Sequence, residues 1–290
     1  MTSEKGPASP NSANPKPTIA TRKPDVPANF KLAATLKGHS HAVVCVQFSP
    51  DEATLASASG DCTCKLWDST SGQLLQTLEG HEKGLSAVCW DPSSQYVCTA
   101  SDDKKLRIWQ AATGACLREL IGHTHFVFCC TYSPKGNLVA SGGFDEVVRV
   151  WDPSTGRSLR VIPAHSDPKK AKSKQYSGHK NESHCLFAAF MAHPSQAFVI
   201  SGSEDHRIFI WSLNSKKVLQ VIPGKESPDG EGDGHCSPVI CVSALRSGAF
   251  ASGALEQDCT IKLWRDENLM RLAWRPDVKN ENAKGADASS

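Results

Sequence analysis

The sequence lacks the features that mark several large classes of protein. No apolar run among its 290 residues approaches the roughly 20 residues that a membrane-spanning helix needs. The N-terminal stretch has no apolar core of the kind found in a signal peptide. The net charge of +2 is close to balance, so no bulk attraction to nucleic acid or to a membrane surface is expected.

Sequence motifs for metal binding and catalysis are also missing. The twelve cysteines include no Cys-x-x-Cys pair, and Cys62-x-Cys64 has no matching second half, so a zinc site is not indicated. Most of the cysteines fall on predicted strands, where a reduced thiol packs as a small hydrophobe. We therefore expect structural thiols in the cytosol or nucleus, with no metal and no cofactor. A Gly-x-Ser-x-Gly nucleophile motif is absent as well.

The stretch Gly122–Asp152 shows what the chain contains instead. It begins with Gly-His, ends with Trp-Asp and holds three β-rich runs, Val127–Tyr132, Leu138–Ser141 and Val147–Val150. Turns rich in Pro and Gly separate the runs, which is typical of antiparallel strands. A meander of three strands cannot bury both of its faces alone, so this unit is expected to pack against others.

The same unit recurs along the chain, and its first three copies are spaced by 42 residues. Each copy has a histidine, an aspartate and, six residues after the aspartate, a tryptophan. The residues are His39, Asp61 and Trp67, then His81, Asp103 and Trp109, then His123, Asp145 and Trp151, then His179, Asp205 and Trp211, and last His235, Asp258 and Trp264. This pattern resembles the WD-repeat family, whose fold is an all-β propeller. Five recognisable repeats are predicted.

We interpret the recurrent polar residues as structural. The histidine, a Ser or Thr on the second strand, the aspartate and the tryptophan can hydrogen-bond in series, and a buried polar group without a partner costs about 1–3 kcal/mol. In the first repeat the hydroxyl could belong to Ser57 or to Ser59. Ser, His and Asp also form hydrolase triads, but five copies of one triad are not typical of an active site, so we expect no enzymatic activity.

Composition divides the chain into three regions. Residues 1–29 form a Pro-rich tail, 30–264 carry the repeats, and 265–290 are mostly polar, so both tails are expected to be disordered. The spacing fails after the third repeat, where a truncated repeat and a Lys-rich linker occupy 164–177. The lysine run could be a nuclear-import signal or a patch for an acidic partner, but a solvated linker is the simpler interpretation. The strand Phe30–Leu36 is predicted to complete the last blade.

Five stretches of the sequence indicate a particular group within the WD-repeat family. They are HTHFVFCC, SGGFDEVVRVWD, GHKNESHCLFAAF, ISGSEDHRIFIW and ASGALEQDCTIKLW, and they resemble the WD-repeat core subunits of the MLL/COMPASS histone H3 methyltransferase complexes. Those subunits form a seven-bladed ring, so the resemblance implies that about two blades are missing between Pro168 and Tyr176 and that the ring is incomplete or distorted. It also implies a nuclear, monomeric scaffold. The implied partners are the histone H3 tail, an arginine-containing motif of the methyltransferase and other core subunits.

The resemblance further implies a peptide site at the central channel. Phe128 and Phe187 match two aromatic residues that stack on the faces of an arginine guanidinium, at about 2 kcal/mol per desolvated face. Asp102 matches an acidic residue near the N-terminal side of the peptide. Carbonyl groups such as those of Ser86 and Cys185 could accept hydrogen bonds from the guanidinium.

Two sets of residues are expected to line that channel. The residue five beyond each repeat histidine should point toward it, and the residue before each turn aspartate should lie at the same end. The first set is Val44, Ser86, Phe128, His184 and Ile240, and the second is Gly60, Asp102, Phe144, Glu204 and Gln257. His184 stands where the family has a tyrosine, and Val44 where it has a serine, so the implied pocket is incomplete.

Two alternatives stay open. The chain could be a different WD-repeat adaptor, for example a substrate receptor of a ubiquitin ligase. That class typically has a basic residue two positions after Trp-Asp, where this chain has Thr70 and Ser154. It could also be a truncated paralogue without function.

Overall fold

The computed structural model describes residues 27–163, 186–192, 197–225, 232–255 and 257–267. They form twenty β-strands. In this part of the chain, no helix is long and apolar enough to cross a membrane. The expected tails and the Lys-rich linker lie almost wholly outside the described residues, as do His179, His184 and Cys185, so what the sequence predicts for them stays a prediction.

The strands form five antiparallel sheets of four strands each. The first strand, β1, is Phe30–Leu36. Sheet 1 consists of β2–β5, which are Val43–Phe48, Thr54–Ser59, Cys64–Asp68 and Leu74–Leu78. Sheet 2 consists of β6–β9, which are Leu85–Trp90, Tyr96–Ser101, Lys105–Gln110 and Cys116–Ile121. Sheet 3 consists of β10–β13, which are Val127–Tyr132, Val139–Gly143, Val147–Trp151 and Ser158–Pro163. Sheet 4 consists of β14–β17, which are Ala188–Ala192, Ala197–Gly202, Ile208–Ser212 and Val218–Ile222. Sheet 5 joins β18 (Val239–Ala244), β19 (Ala249–Ala254) and β20 (Ile261–Asp266) to β1.

The first four sheets are meanders whose strands pair in chain order. Four-stranded antiparallel sheets of this kind are the blades of β-propellers. The predicted all-β class and the five repeats are therefore confirmed.

The first strand completes the last sheet, as the sequence predicted. β1 pairs antiparallel with β20, from Phe30 opposite Asp266 to Leu36 opposite Ile261. Phe30 is 3% exposed, and its ring lies edge-on to that of Phe250, with 5.1 Å between the centroids. Because β1 covers β20, the last strand of the repeats is not left as an open sheet edge.

Neighbouring sheets pack mainly through one edge strand each, which is the first strand of sheets 1 to 4 and β18 in sheet 5. β14 packs on β18, β18 on β2, β2 on β6 and β6 on β10, so the sheets follow one another in the order 4, 5, 1, 2, 3. A contact between β10 and β14 would join the two ends of this series. This contact is not among the main strand contacts of the described residues. The five described sheets therefore form an arc that lacks closure.

An apolar cluster lies between each pair of packed sheets, and each contains one repeat tryptophan. Trp264, Trp67, Trp109 and Trp151 occupy the successive clusters from the sheet 4–5 interface to the sheet 2–3 interface. All four are at most 2% exposed. Trp211 is equally buried, in a smaller cluster with Val199 and Phe209 on sheet 4. Four of the five repeat tryptophans thus join a sheet to its neighbour, whereas Trp211 packs within sheet 4.

Candidate peptide-binding site

A chain of hydrogen bonds links the recurrent polar residues of the first repeat. The Nε1–H group of Trp67 donates to Oγ of Ser57 at 2.8 Å. Nε2 of His39 lies 2.7 Å from the same oxygen, and Nδ1 of His39 lies 2.8 Å from Oδ2 of Asp61. The structure therefore selects Ser57, whereas the hydroxyl of Ser59 donates to the carbonyl oxygen of His41.

Three further repeats contain the same chain, with distances between 2.7 and 3.0 Å. The hydroxyl is supplied by Thr99, Ser141 and Ser252 in turn. These residues and Ser57 are at most 2% exposed, so a substrate cannot reach them. In the fourth repeat His179 lies outside the described residues.

The hydrogen-bond chain holds its aspartates ionised. Burial raises the pKa of Asp103, but the hydrogen bond and the charge of His81 outweigh it and lower the pKa to about 2. The pKa of Asp61 and that of Asp258 are lowered further, again because the bonds to His39 and His235 outweigh burial. All the polar groups of the first-repeat chain thus have hydrogen-bond partners.

The predicted channel residues have a common structural origin. In sheets 1, 2, 3 and 5 the register of the first strand shifts by one residue, which is a β-bulge that turns a side chain out of the regular alternation. The residues at the shifts are Val44, Ser86, Phe128 and Ile240. Phe128 is 44% exposed, whereas Ile240 is only 6% exposed. The spacing from the histidine thus found the bulges, but it did not find which of their side chains are open to a ligand.

An aromatic cluster surrounds Phe128 at one end of sheet 3. The ring centroids of Phe128 and Phe144 lie 5.2 Å apart, those of Phe126 and Phe144 lie 6.3 Å apart, and His125 lies 4.6 Å from Phe126. Nζ of Lys83 lies 5.5 Å from the centroid of Phe126. A cation is therefore already in contact with this cluster. Phe126, His125 and Lys83 were not among the predicted site residues. The aromatic run HTHFVF contains the first two, whereas Lys83 comes from the preceding repeat.

Phe187 lies at the other end of the arc. It precedes β14, is 43% exposed, and donates its backbone N–H to the carbonyl oxygen of Ile240 at 3.0 Å. Within the described residues its ring is not in contact with Phe128 or Phe144. A guanidinium between two rings keeps them about 7 Å apart, since each face needs one van der Waals distance. Direct contact of the two rings is therefore not required for the predicted sandwich.

The predicted acidic residue is held on sheet 2. The hydroxyl of Ser86 donates to Oδ1 of Asp102 at 3.0 Å, and the backbone N–H of Asp102 donates to the carbonyl oxygen of Gly84 at 3.0 Å. Sheet 2 packs directly against sheet 3, so this half-buried carboxylate lies on the sheet beside the one that carries Phe128.

The sequence model of the family described as "WD domain, G-beta repeat" matches residues 30–68, 72–110, 114–152, 170–212 and 227–265. The chain belongs to the WD40 repeat family. WD40 domains mediate protein–protein interactions and are generally non-catalytic, which agrees with the buried hydroxyl groups. At this level the chain is a WD40 scaffold or adaptor protein.

Relatives of this WD40 protein align with parts of it. WD repeat-containing protein 26 homolog of Arabidopsis thaliana is 31% identical over 98 residues, which are 34% of this chain and 14% of that protein. Protein Mut11 of Chlamydomonas reinhardtii is 43% identical over 61 residues, 21% of this chain and 14% of that protein. U3 small nucleolar RNA-interacting protein 2 of Homo sapiens is 29% identical over 107 residues, 36% of this chain and 21% of that protein. The chain spans at most about a fifth of these relatives, and none of the three names indicates a histone methyltransferase complex.

Proposed function

We propose that this WD40 protein is a non-catalytic scaffold that binds an arginine-containing peptide within a histone H3 lysine methyltransferase complex. The observation that carries the proposal is the exposure of Phe128 and Phe187, two large aromatic side chains at 44% and 43%. The proposed partners are the histone H3 tail, an arginine-containing motif of the methyltransferase and the other core subunits. The proposed location is the nucleus, in agreement with the nucleolar RNA partner in the name of the human relative.

The two aromatic side chains favour arginine over lysine as the bound residue. A guanidinium is planar and stacks on aromatic rings, whereas a lysine ammonium is a compact and strongly hydrated charge. The contact of Lys83 with Phe126 supports the attraction of this aromatic cluster for cations. Asp102 adds a negative charge on the neighbouring sheet, which favours a cationic peptide.

Affinity for the peptide should be lower than that of a complete seven-bladed ring. The open arc leaves fewer channel residues for the peptide, and each lost polar contact costs about 1 kcal/mol. Two such losses lower the affinity by about tenfold or more.

Calorimetric titration of the full chain tests the proposal, with an N-terminal Ala-Arg peptide and the same peptide carrying Lys. We expect the Arg peptide to bind and the Lys peptide to bind more weakly. Phe128→Ala should abolish binding. Phe190→Ala is the matched control, because Phe190 is 70% exposed and lies on the first strand of sheet 4 outside the proposed site.

Equal binding of the two peptides, or an unchanged affinity of the Phe128→Ala variant, would rule out this pocket. If the folded chain binds neither peptide, the alternatives of a different WD40 adaptor or a truncated paralogue without function would be favoured instead.

A further inference from the structure

Three cysteine thiols from three strands meet between sheets 2 and 3. Cys89 lies on β6, Cys98 is directly opposite it on β7, and Cys130 lies on β10. Their Sγ atoms are all within 4.8 Å of one another. Among the described residues, no other group of three His, Cys, Asp or Glu side chains is gathered in this way.

The three thiols are held by two rigid sheets. Cys89 and Cys98 are 3% and 0% exposed and belong to the apolar cluster that contains Trp151. The thiol of Cys130 donates to the carbonyl oxygen of Cys98 at 3.6 Å, which ties sheet 3 to sheet 2. The positions of the sulfur atoms therefore follow from strand pairing and sheet packing, so that the site is preorganised.

The spacing suits one metal ion. Thiolates bind at about 2.3 Å from a metal, so three sulfur atoms around a trigonal ion lie about 4 Å apart. Shifts of less than about 1 Å would bring the present sulfur atoms to that separation. Thiolates select soft ions such as copper(I) and zinc, and zinc in structural sites takes four ligands. The described residues supply only three donors here.

We propose that Cys89, Cys98 and Cys130 form a three-coordinate thiolate site for a soft monovalent cation, copper(I) in the first place. Each thiol that becomes a thiolate on binding releases one proton to solvent. No oxidation or reduction of the metal or of the cysteines is involved.

A cavity of about 680 Å³ lies near the three cysteines, between sheets 2 and 3. Tyr96, Ile108 and Tyr132 are among its lining residues. Both tyrosines, like Cys130, pack against the apolar cluster that contains Cys89 and Cys98.

Titration of the reduced full chain with copper(I), in competition with the chromogenic chelator bathocuproine disulfonate under nitrogen, tests the proposal. We expect one equivalent to be retained, and zinc(II) in a parallel titration to be retained poorly. X-ray absorption of the copper-loaded protein should show three sulfur ligands. Cys130→Ala should lower copper affinity by about 100-fold or more, because the loss of an outer-shell partner of a ligand alone costs about 10–100-fold and Cys130 is itself a ligand.

Cys64→Ala is the control, because Cys64 is fully buried on β4 outside the trio and its loss should leave copper binding unchanged. Circular dichroism checks that both variants fold. The proposal is overturned if wild type retains no copper, if zinc(II) is retained in preference, or if absorption shows nitrogen and oxygen ligands. The absorption measurement uses wild type alone, so it decides the matter even if Cys130→Ala does not fold.

Discussion

Sheets 2 and 3 are built from the same repeat, yet they differ in the burial of one face, the face that points away from the preceding sheet. On sheet 2 this face carries Leu106, Ile108 and Leu120, which are at most 3% exposed because sheet 3 covers them. The residues 42 positions further on are Val148, Val150 and Ile162. Ile162 is 46% exposed, and both valines are half-buried. The repeat thus encodes an apolar face, and the presence of a neighbouring sheet decides whether that face is buried.

The opposite end of the arc shows a similar contrast. Phe190 lies on β14 opposite Val199, and Val199 is opposite Trp211, so the three residues share one face of sheet 4. Val199 and Trp211 are buried, whereas Phe190 is 70% exposed. Exposed apolar residues thus lie at both ends of the arc.

Removal of β1 should have the largest effect on stability, because sheet 5 would lose one of its four strands and β20 would become an open edge. A chain that starts at residue 27 should unfold in one cooperative transition. A chain that starts at residue 37 should lose that transition, since Phe30 and Leu36 are core residues at 3% and 4% exposure. Thermal unfolding followed by circular dichroism compares the two truncations, and equal stability would show that β1 is dispensable.

Truncation of a repeat tryptophan should come next. Trp151→Ala should destabilise the fold by about 3–5 kcal/mol, although sheet 3 has an exposed face, because Trp151 packs on the side turned to sheet 2. Trp109→Ala, on the covered sheet, should cost a similar amount. Denaturant unfolding measures both variants, and an unchanged free energy of unfolding for Trp151→Ala would refute its structural role.

The covered face of sheet 2 and the exposed face of sheet 3 can be compared through the loss of stability that two smaller substitutions cause. Leu106→Ala should cost about 2–5 kcal/mol as a buried large-to-small change. Val148→Ala, at the equivalent place on sheet 3, should cost less than about 1 kcal/mol, because Val148 is only half-buried and changes outside the core have small effects. Urea unfolding of the pair distinguishes these values. A similar cost for both would mean that the face of sheet 3 is covered in solution.

The effect on acid stability should be smaller than that of Leu106→Ala. The pKa of Asp103 is lowered in the folded protein to about 2, against about 3.9 in an unfolded chain. Its contribution is therefore present above about pH 4 and is lost as the pH falls from there toward 2. Asp103→Asn should remove about 1–2 kcal/mol at neutral pH and flatten the loss of stability between pH 4 and 2. Asp145→Asn on sheet 3 should act in the same direction, because the pKa of Asp145 is also lowered. Urea unfolding across this pH range measures both, and an unchanged acid limb would contradict the assignment.

Local features of the fold were predictable from the sequence. The strand Val127–Tyr132 was predicted with its observed bounds, because Pro and Gly mark its end and β-branched and aromatic residues fill it. The next predicted strand ended at Ser141, but β11 continues to Gly143. Gly142 and Gly143 had been assigned to the turn, yet their backbone groups pair with β10 opposite Cys129 and Val127, for which no side chain is needed.

Features that depend on contacts between sheets could not be predicted. Ser57 and Ser59 lie two positions apart on one strand and so point to the same face, and only the reach of Trp67 decides between them. Ile240 was expected at the channel, but it is buried in a cluster against which Leu186 packs. The meeting of Cys89, Cys98 and Cys130 combines strand pairing with sheet packing, and spacing along the chain contains neither.

The pairing of β1 with β20 has a consequence for the order of folding. Sheets 1 to 4 each consist of strands that are consecutive in the chain, so each can form as soon as its own segment has been synthesised. Sheet 5 must wait, because Phe30 pairs with Asp266 near the other end of the repeats. During that interval β1 is an unpaired strand and β20 an uncovered edge, which are the kinds of surface that aggregate. Slow, non-local pairing of this kind is expected to limit the rate at which the native state forms.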